Sequence, residues 1–296
     1  MVPYLSRPGR NTRTRATRSA LPLCFYAPPS KRLDTREAGA YVRWRVIAVI
    51  TAGGCVDGAF ARAIGTPVKA LAPMGSATLL DRSIDAGRQC GASSIVVVGG
   101  AEVGAYCGTR IDALVRATGD GRANLEAALC SARDNESLLL LTSDLPFLTY
   151  APLAEFLSRV GDAEVAMPLA TPAAYALAYP GAPGHLTALG SERVASGSVF
   201  YFSPRSAARA ITIARELFAA RKSLLRLALL LEPALIARYC ARRLRIADIE
   251  GYAARRFGIR ARAVRECGPE LCYDVDTLAD YRYAREHLET PDGSLH

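Results

Sequence analysis

Three runs of strand length carry almost no polar residue: Val46–Ile50, Ser94–Val98 and Leu138–Leu141. A strand buried on both faces need not alternate apolar with polar positions, so these read as the central strands of a parallel sheet. Each stops on residues that cannot continue a strand: Ala52-Gly53-Gly54 after the first, Gly99-Gly100 after the second, Thr142-Ser143-Asp144-Leu145-Pro146 after the third. Between them the apolar positions recur with helical spacing. The pattern predicts a helix over 79–90 closed by Gly91, and another over 121–133 carrying Asn124 near its first turn. Strand, helix, strand, helix, strand is the signature of a doubly wound α/β fold.

Beyond Pro146 the pattern predicts a helix over 151–160 and a short strand over 163–168. Residues 171–204 are broken by Pro172, Pro180-Gly181, Pro183-Gly184 and Gly197, and are expected to form a small antiparallel insertion over the site. Loops on a rigid sheet carry binding, so acceptor specificity is expected there. Residues 205–257, rich in Arg and Leu, are expected to be helical. The 224–244 stretch is read as packing against the sheet, or against a second copy in a homodimer, rather than on a membrane surface. In Glu270-Leu-Cys-Tyr-Asp274-Val-Asp276-Thr277 the acids two apart are expected on one side of a strand. Thr277 and Asp280 then form a capping box for a last helix through His287.

Charge adds little to this picture. The chain of 296 residues has a formal charge of +9, but residues 1–41 hold eight Lys or Arg and two acids, which leaves +3 for the rest. That balance gives no footprint for a nucleic-acid partner. Residues 1–41 read as a disordered extension or as translated sequence upstream of the true start, although a transit-type peptide has a similar composition. Residues 42–296 form the expected catalytic unit. The eight cysteines follow no framework, and Cys267 and Cys272 are a lone pair without a second pair or a nearby His, a poor zinc pattern. Reduced thiols and a cytoplasmic location are the expectation. No apolar run approaches the roughly 18–20 residues needed to span a bilayer.

The candidate chemistry sits at the strand ends. In open α/β sheets ligands bind at the carboxyl edge, where Asp144 can hold a divalent cation against phosphates or simply cap the following turn. Gly53 and Gly54 can bring backbone N–H groups to a phosphate or can form a tight βα turn, and they fit neither a Walker loop nor a dinucleotide fingerprint. Lys69, after a Pro and before an apolar pair, is either a solvated surface charge or a clamp on phosphates.

Taken in order, Ala52-Gly53-Gly54 after a strand, Lys69 before Ala-Leu, Leu141-Thr-Ser-Asp144-Leu-Pro and Asp274-Val-Asp276-Thr resemble the MobA-like NTP transferases, nucleotidyltransferases of the GT-A fold that include molybdenum-cofactor guanylyltransferase. The resemblance covers residues 44–288. It implies a three-layer αβα sheet and transfer of a nucleotidyl group from an NTP, GTP or CTP, to a phosphorylated small molecule, with Mg²⁺. It also implies Asp144 as metal ligand and Asp276 or Asp274 as the second. Ala52, Gly53, Gly54, Lys69, Gly100, Asn124 and Asp144 would lie on the nucleotide, with Lys69 and Asp144 catalytic. Two departures stand out. The Arg that commonly closes the Gly-rich loop is replaced by Val56-Asp57-Gly58, with only Arg62 near, and Ser196-Gly197-Ser198 stands where relatives tend to have Gly-Gly-Asn. Glycosyl transfer from a nucleotide sugar on the same fold, and nucleotide binding without catalysis, are the alternatives.

Overall fold

Because apolar residues at both parities must be covered, the three apolar runs end up side by side in one sheet with helices on its two faces. The computed structural model describes residues 46–118, 121–131, 136–183, 186–189, 192–204, 206, 209, 212–213 and 232–289. Strands β1 (Val46–Thr51), β4 (Ser94–Gly99) and β6 (Ser137–Thr142) are parallel, with Ile50 opposite Val97 on one side and Leu141 on the other. The edge strand β5 (Ala113–Arg116) continues the parallel run beyond β4. Val46, Ala48, Ile50, Leu139 and Leu141 enter one core layer, while Ile47, Val49, Leu138 and Leu140 enter the other. The first layer is closed by α1 (Gly58–Ile64), α2 (Leu79–Gln89), α3 (Ala101–Cys107) and α5 (Tyr150–Arg159), the second by α4 (Gly121–Leu129).

On the far side of β6 the sheet becomes mixed. After β7 (Val165–Ala170) come helix α6 (Pro172–Ala178) and the antiparallel hairpin β8 (Leu186–Leu189) and β9 (Glu192–Ser196). The chain then returns as β10 (Val199–Phe202), which slots between β6 and β7 and runs antiparallel to both. Gly197 makes this return fit. A Cβ there would lie 2.4 Å from Pro168 Cγ and 2.8 Å from the Leu271 carbonyl oxygen, so the backbone passes where no side chain has room. The strand expected over 163–168 is therefore present, but the insertion is only partly a hairpin layer. It begins with a helix and ends inside the main sheet.

Helices α7 (Pro233–Cys240) and α8 (Ile246–Phe257) realise part of the expected helical segment, and β11 (Ala261–Val264) then pairs parallel with β7. The rest of that segment lies mostly outside the described residues, as does the basic extension over 1–41. Among the described residues no helix is long and apolar enough to cross a membrane. The short hairpin β2 (Pro73–Met74) and β3 (Ala77–Thr78) leads into α2, whose start is locked by a reciprocal Thr78–Asp81 capping box.

One expected element is corrected. Residues 270–276 are not a strand: Pro269–Leu271 is a 3-10 turn, and the chain then crosses the carboxyl ends of the central strands. Its backbone groups are satisfied there by other partners, since Val275 N–H donates to the Asp144 carbonyl at 2.9 Å and Ser198 N–H donates to the Leu271 carbonyl at 3.1 Å. The last helix, α9 (Leu278–Glu289), starts at the expected capping box, with Asp280 accepting from Thr277 N–H at 2.6 Å and returning its own N–H to Thr277 Oγ1 at 3.2 Å.

Candidate active site

The parallel strands β1, β4, β5 and β6 all end on one edge, and the loops that leave them converge there. Ser143 N–H donates to the Thr51 carbonyl at 3.1 Å, which ties the Asp144 turn to the end of β1. On the other flank of β1, Ala52 N–H donates to the Val98 carbonyl at 2.8 Å. The Gly53–Gly54 turn is thereby fixed at the rim of the sheet.

Lys69 reaches this rim because its own segment is zipped to the glycine turn. Its N–H donates to the Gly54 carbonyl at 3.0 Å, Cys55 and Val68 form an isolated antiparallel bridge, and Val56 N–H donates to the Pro67 carbonyl at 2.8 Å. The ammonium then spans two distant segments. Nζ donates to Asp144 Oδ2 at 2.6 Å, to the Val275 carbonyl at 2.9 Å and to Asp276 Oδ1 at 3.4 Å. An ammonium has three N–H donors, and here each has an oxygen. Burial pulls the Lys69 pKa down, but the charge and hydrogen bond of Asp144, followed by those of Asp276, more than offset this and hold it above its ordinary value.

The two acids of the C-terminal segment go to different partners. Val275 points into the core, fully buried, and the acids flank it. Asp276 meets Lys69, and its N–H is held by the Asp280 carboxylate at 3.1 Å, so the cap of α9 fixes its position. Asp274 accepts instead from the Ser198 hydroxyl at 3.4 Å. Ser198 in turn lies against the end of the central strand, where its carbonyl accepts from Thr142 N–H at 3.3 Å. The structure thus brings Lys69, Asp144 and Asp276 together and sets Asp274 beside the inserted segment.

The other candidates surround this cluster to different degrees. Asn124 lies against the glycine turn, for a Cβ on Gly53 would be 3.0 Å from its Nδ2 and 3.0 Å from Ala117 Cβ. Its Oδ1 accepts from Thr118 N–H at 2.9 Å, which ties the loop after β5 to α4. Gly100 sits exposed at the same edge as the residue before α3, where a Cβ would meet nothing within 4 Å. Arg62 is exposed in the last turn of α1. Sequence reasoning missed the Val275 carbonyl, which carries no side-chain signal, and the Ala117–Thr118 loop that buttresses Gly53.

A hard divalent cation fits the donor chemistry here. Asp144 Oδ1 is buried and has no hydrogen-bond partner, while Asp276, with 63% of its side chain exposed, opens the cluster to solvent. Magnesium is commonly held by one or two carboxylates together with waters and substrate phosphates rather than by an all-protein cage. Among the described residues no three His, Cys, Asp or Glu side chains are grouped to hold a metal, so waters and substrate phosphates would have to complete the coordination.

The mixed α/β sheet that carries this cluster has counterparts among known proteins. The family model of the MobA-like NTP transferase domain matches residues 48–262. The chain belongs to the MobA-like NTP transferase family. It is therefore a nucleotidyltransferase, and the match includes Gly53, Gly54, Lys69, Asn124 and Asp144. It ends before Asp274 and Asp276, which the fold delivers to the same rim. A solved structure described as a hypothetical transferase from Thermus thermophilus is 27% identical, covering 80% of this chain and 99% of that one with a TM-score of 0.69. CMP:2-keto-3-deoxy-manno-octonic acid synthetase, solved with CTP, is 13% identical, covering 82% of this chain and 98% of that one with a TM-score of 0.50. At that identity the likeness shows the fold alone. No curated protein matches.

Proposed function

We propose that this family member transfers a nucleotidyl group from an NTP, GTP or CTP, to a phosphorylated small molecule, and that the Lys69–Asp144–Asp276 cluster is its catalytic centre. The observation that carries the reading is the single ammonium within 3.4 Å of carboxylates 75 and 207 positions away, beside the Gly53–Gly54 turn. An oxygen of the acceptor phosphate forms a bond to the α-phosphorus, the bond from that phosphorus to the bridging oxygen breaks, and pyrophosphate leaves with the electron pair. The nucleophile is already an anion, so no general base is needed, and positioning with charge neutralisation supplies the catalysis.

The residues divide that work. The Ala52–Gly54 backbone lies alongside the triphosphate, Lys69 neutralises it, and Asn124 holds the turn that the nucleotide meets. Gly100, at the neighbouring strand end, leaves open space for the nucleoside. Asp144 and Asp276 hold Mg²⁺, which when bound offsets charge on the phosphates. Ser198, within the inserted segment, and Asp274, which accepts from it, are placed on the acceptor side. A cytoplasmic location belongs to the same reading, and Cys55, Cys90, Cys107, Cys240, Cys267 and Cys272 are free thiols.

The test combines melting with product analysis. Each of ATP, CTP, GTP and UTP with Mg²⁺ is scored for a raised melting temperature, since a ligand of the native state stabilises it. The stabilising NTP is then incubated with phosphorylated acceptors. Free pyrophosphate is the expected product. Nucleoside diphosphate released from a nucleotide sugar would replace this reading with glycosyl transfer. A melting shift without turnover on any acceptor would replace it with a binding protein that has lost the chemistry along with the loop Arg.

A further inference from the structure

The cation that two carboxylates call for is already supplied by the chain. Lys69 Nζ lies 2.6 Å from Asp144 Oδ2 and 3.4 Å from Asp276 Oδ1, with the Val275 carbonyl as its third acceptor. Magnesium binds carboxylate oxygens at about 2.0–2.1 Å. An ion shared by these two acids would therefore enter the space the ammonium fills, and the two positive charges would repel strongly at that range. We propose that Lys69 is a built-in counter-cation which keeps the divalent ion out until a triphosphate draws the ammonium away, so that metal and nucleotide bind as a coupled pair. The proposal rests on the nucleotidyltransferase reading of this site and adds a rule for how the site is loaded.

Three features make the exchange feasible. The Lys69 stem runs beside the glycine turn, with its Cε 3.6 Å from where a Cβ on Gly54 would stand, so that turn is within reach of the flexible side chain. Asp276 is exposed, giving the ion a way in from solvent. Asp144 Oδ1, buried and unpartnered, keeps one carboxylate oxygen out of the lysine's hold and ready for a metal. Lys69 would then exchange its carboxylate partners for the phosphates, which would leave Asp144 and Asp276 to hold the metal. By linkage, whatever factor the nucleotide adds to metal affinity, the metal must add to nucleotide affinity.

The experiment uses the full chain and Mn²⁺ as probe, titrated with detection of free Mn²⁺ by electron paramagnetic resonance. Titrations are run with and without a non-hydrolysable α,β-methylene GTP or CTP. Wild type is expected to bind Mn²⁺ weakly alone and about tenfold or more tighter with the analogue. The deciding measurement is made without nucleotide. Lys69→Met is expected to bind Mn²⁺ alone about tenfold or more tighter than wild type, within the usual range of coupling between sites. Its gain on adding the analogue is expected to shrink. Asp144→Asn in the Lys69→Met background should lose the tight Mn²⁺, which locates the signal at this site. Lys69→Gln replaces Lys69→Met should the latter not fold, as judged by circular dichroism. Equal or weaker Mn²⁺ binding by the lysine variant would overturn the proposal. Pyrophosphate release by wild type is a separate readout, so failure of the transferase reading is distinguishable from failure of the loading rule.

Discussion

Replacing Asp144 by Asn changes charge while nearly keeping shape, and its effects on stability and on turnover should separate. The carboxylate accepts from Lys69 at 2.6 Å, and both side chains are 16% exposed, so the pair is largely but not wholly desolvated. A hydrogen bond to a charged group contributes about 1.5–3 kcal/mol, and breaking a fully buried ion pair costs about 3–5. Lys69 keeps the Val275 carbonyl and Asp276 in the variant, so no charge is left stranded and the lower range applies. A loss of about 2 kcal/mol would lower the melting temperature of a domain this size by roughly 4–8 °C. The chemistry should suffer far more. Removing one charge-stabilising group from a transition state costs about two to three orders of magnitude, and this carboxylate is also proposed to carry the metal. Scanning calorimetry and a coupled pyrophosphate assay on the same preparation give both numbers. A cooperatively folded Asp144→Asn protein that releases pyrophosphate in the presence of Mg²⁺ within tenfold of wild type would refute the assignment.

Gly197→Ala should destabilise by about 1–3 kcal/mol through overpacking, because its Cβ would collide with Pro168 and the Leu271 carbonyl; urea denaturation with an unchanged midpoint would count against it. Asp81 is expected to govern part of the acid limb of stability. Burial pushes its pKa up, but hydrogen bonds from the Tyr106 hydroxyl, the Thr78 backbone and the Arg110 guanidinium leave it below the usual carboxylate value. A lowered folded pKa stabilises above the unfolded value near about 4 and is lost as pH falls through the folded one. The stability gap between wild type and Asp81→Asn should therefore be full at pH 7 and shrink below about pH 4, and a gap that persists at pH 2 would refute the sign. Burial also pushes the Cys90 and Cys272 thiols up to about 12, whereas Cys55, Cys130 and Cys240 are exposed. Brief alkylation at pH 8 should label the exposed group and spare the buried two by peptide mass analysis.

Much of this architecture is legible in the chain because its centre is made of local signals. Val46–Ile50 and Leu138–Leu141 are apolar at both parities, which only a doubly covered strand tolerates, and Gly91 and the Thr277–Asp280 pair mark helix ends by local backbone chemistry. The misread segments are those whose partners are distant in sequence. Leu271 to Asp276 alternates as a strand would, yet the backbone of Val275 is claimed by Asp144 and Lys69. Ala261–Val264 lies beyond the segment expected to be helical, over 205–257, with no local strand signal of its own, and it becomes a strand by pairing with β7. Val199–Phe202 gives no hint that it will lie between β6 and β7.

The choice between Asp274 and Asp276 shows where local reading stops. Residue type and spacing treat the two alike, since each is an acid next to the same buried valine. What separates them is held elsewhere in the chain. The Asp280 carboxylate takes the N–H of Asp276, so the start of α9 turns that residue toward Lys69, while Ser198, placed by β10 and by the room Gly197 leaves, takes Asp274. The second acid of the cluster is therefore selected by a helix cap and by a strand inserted from another part of the chain. A change at either element should disturb the cluster without touching an acid. Loss of the cap would leave the N–H of Asp276 without its partner and loosen its carboxylate from Lys69, although the residues proposed to act on the nucleotide would all still be present.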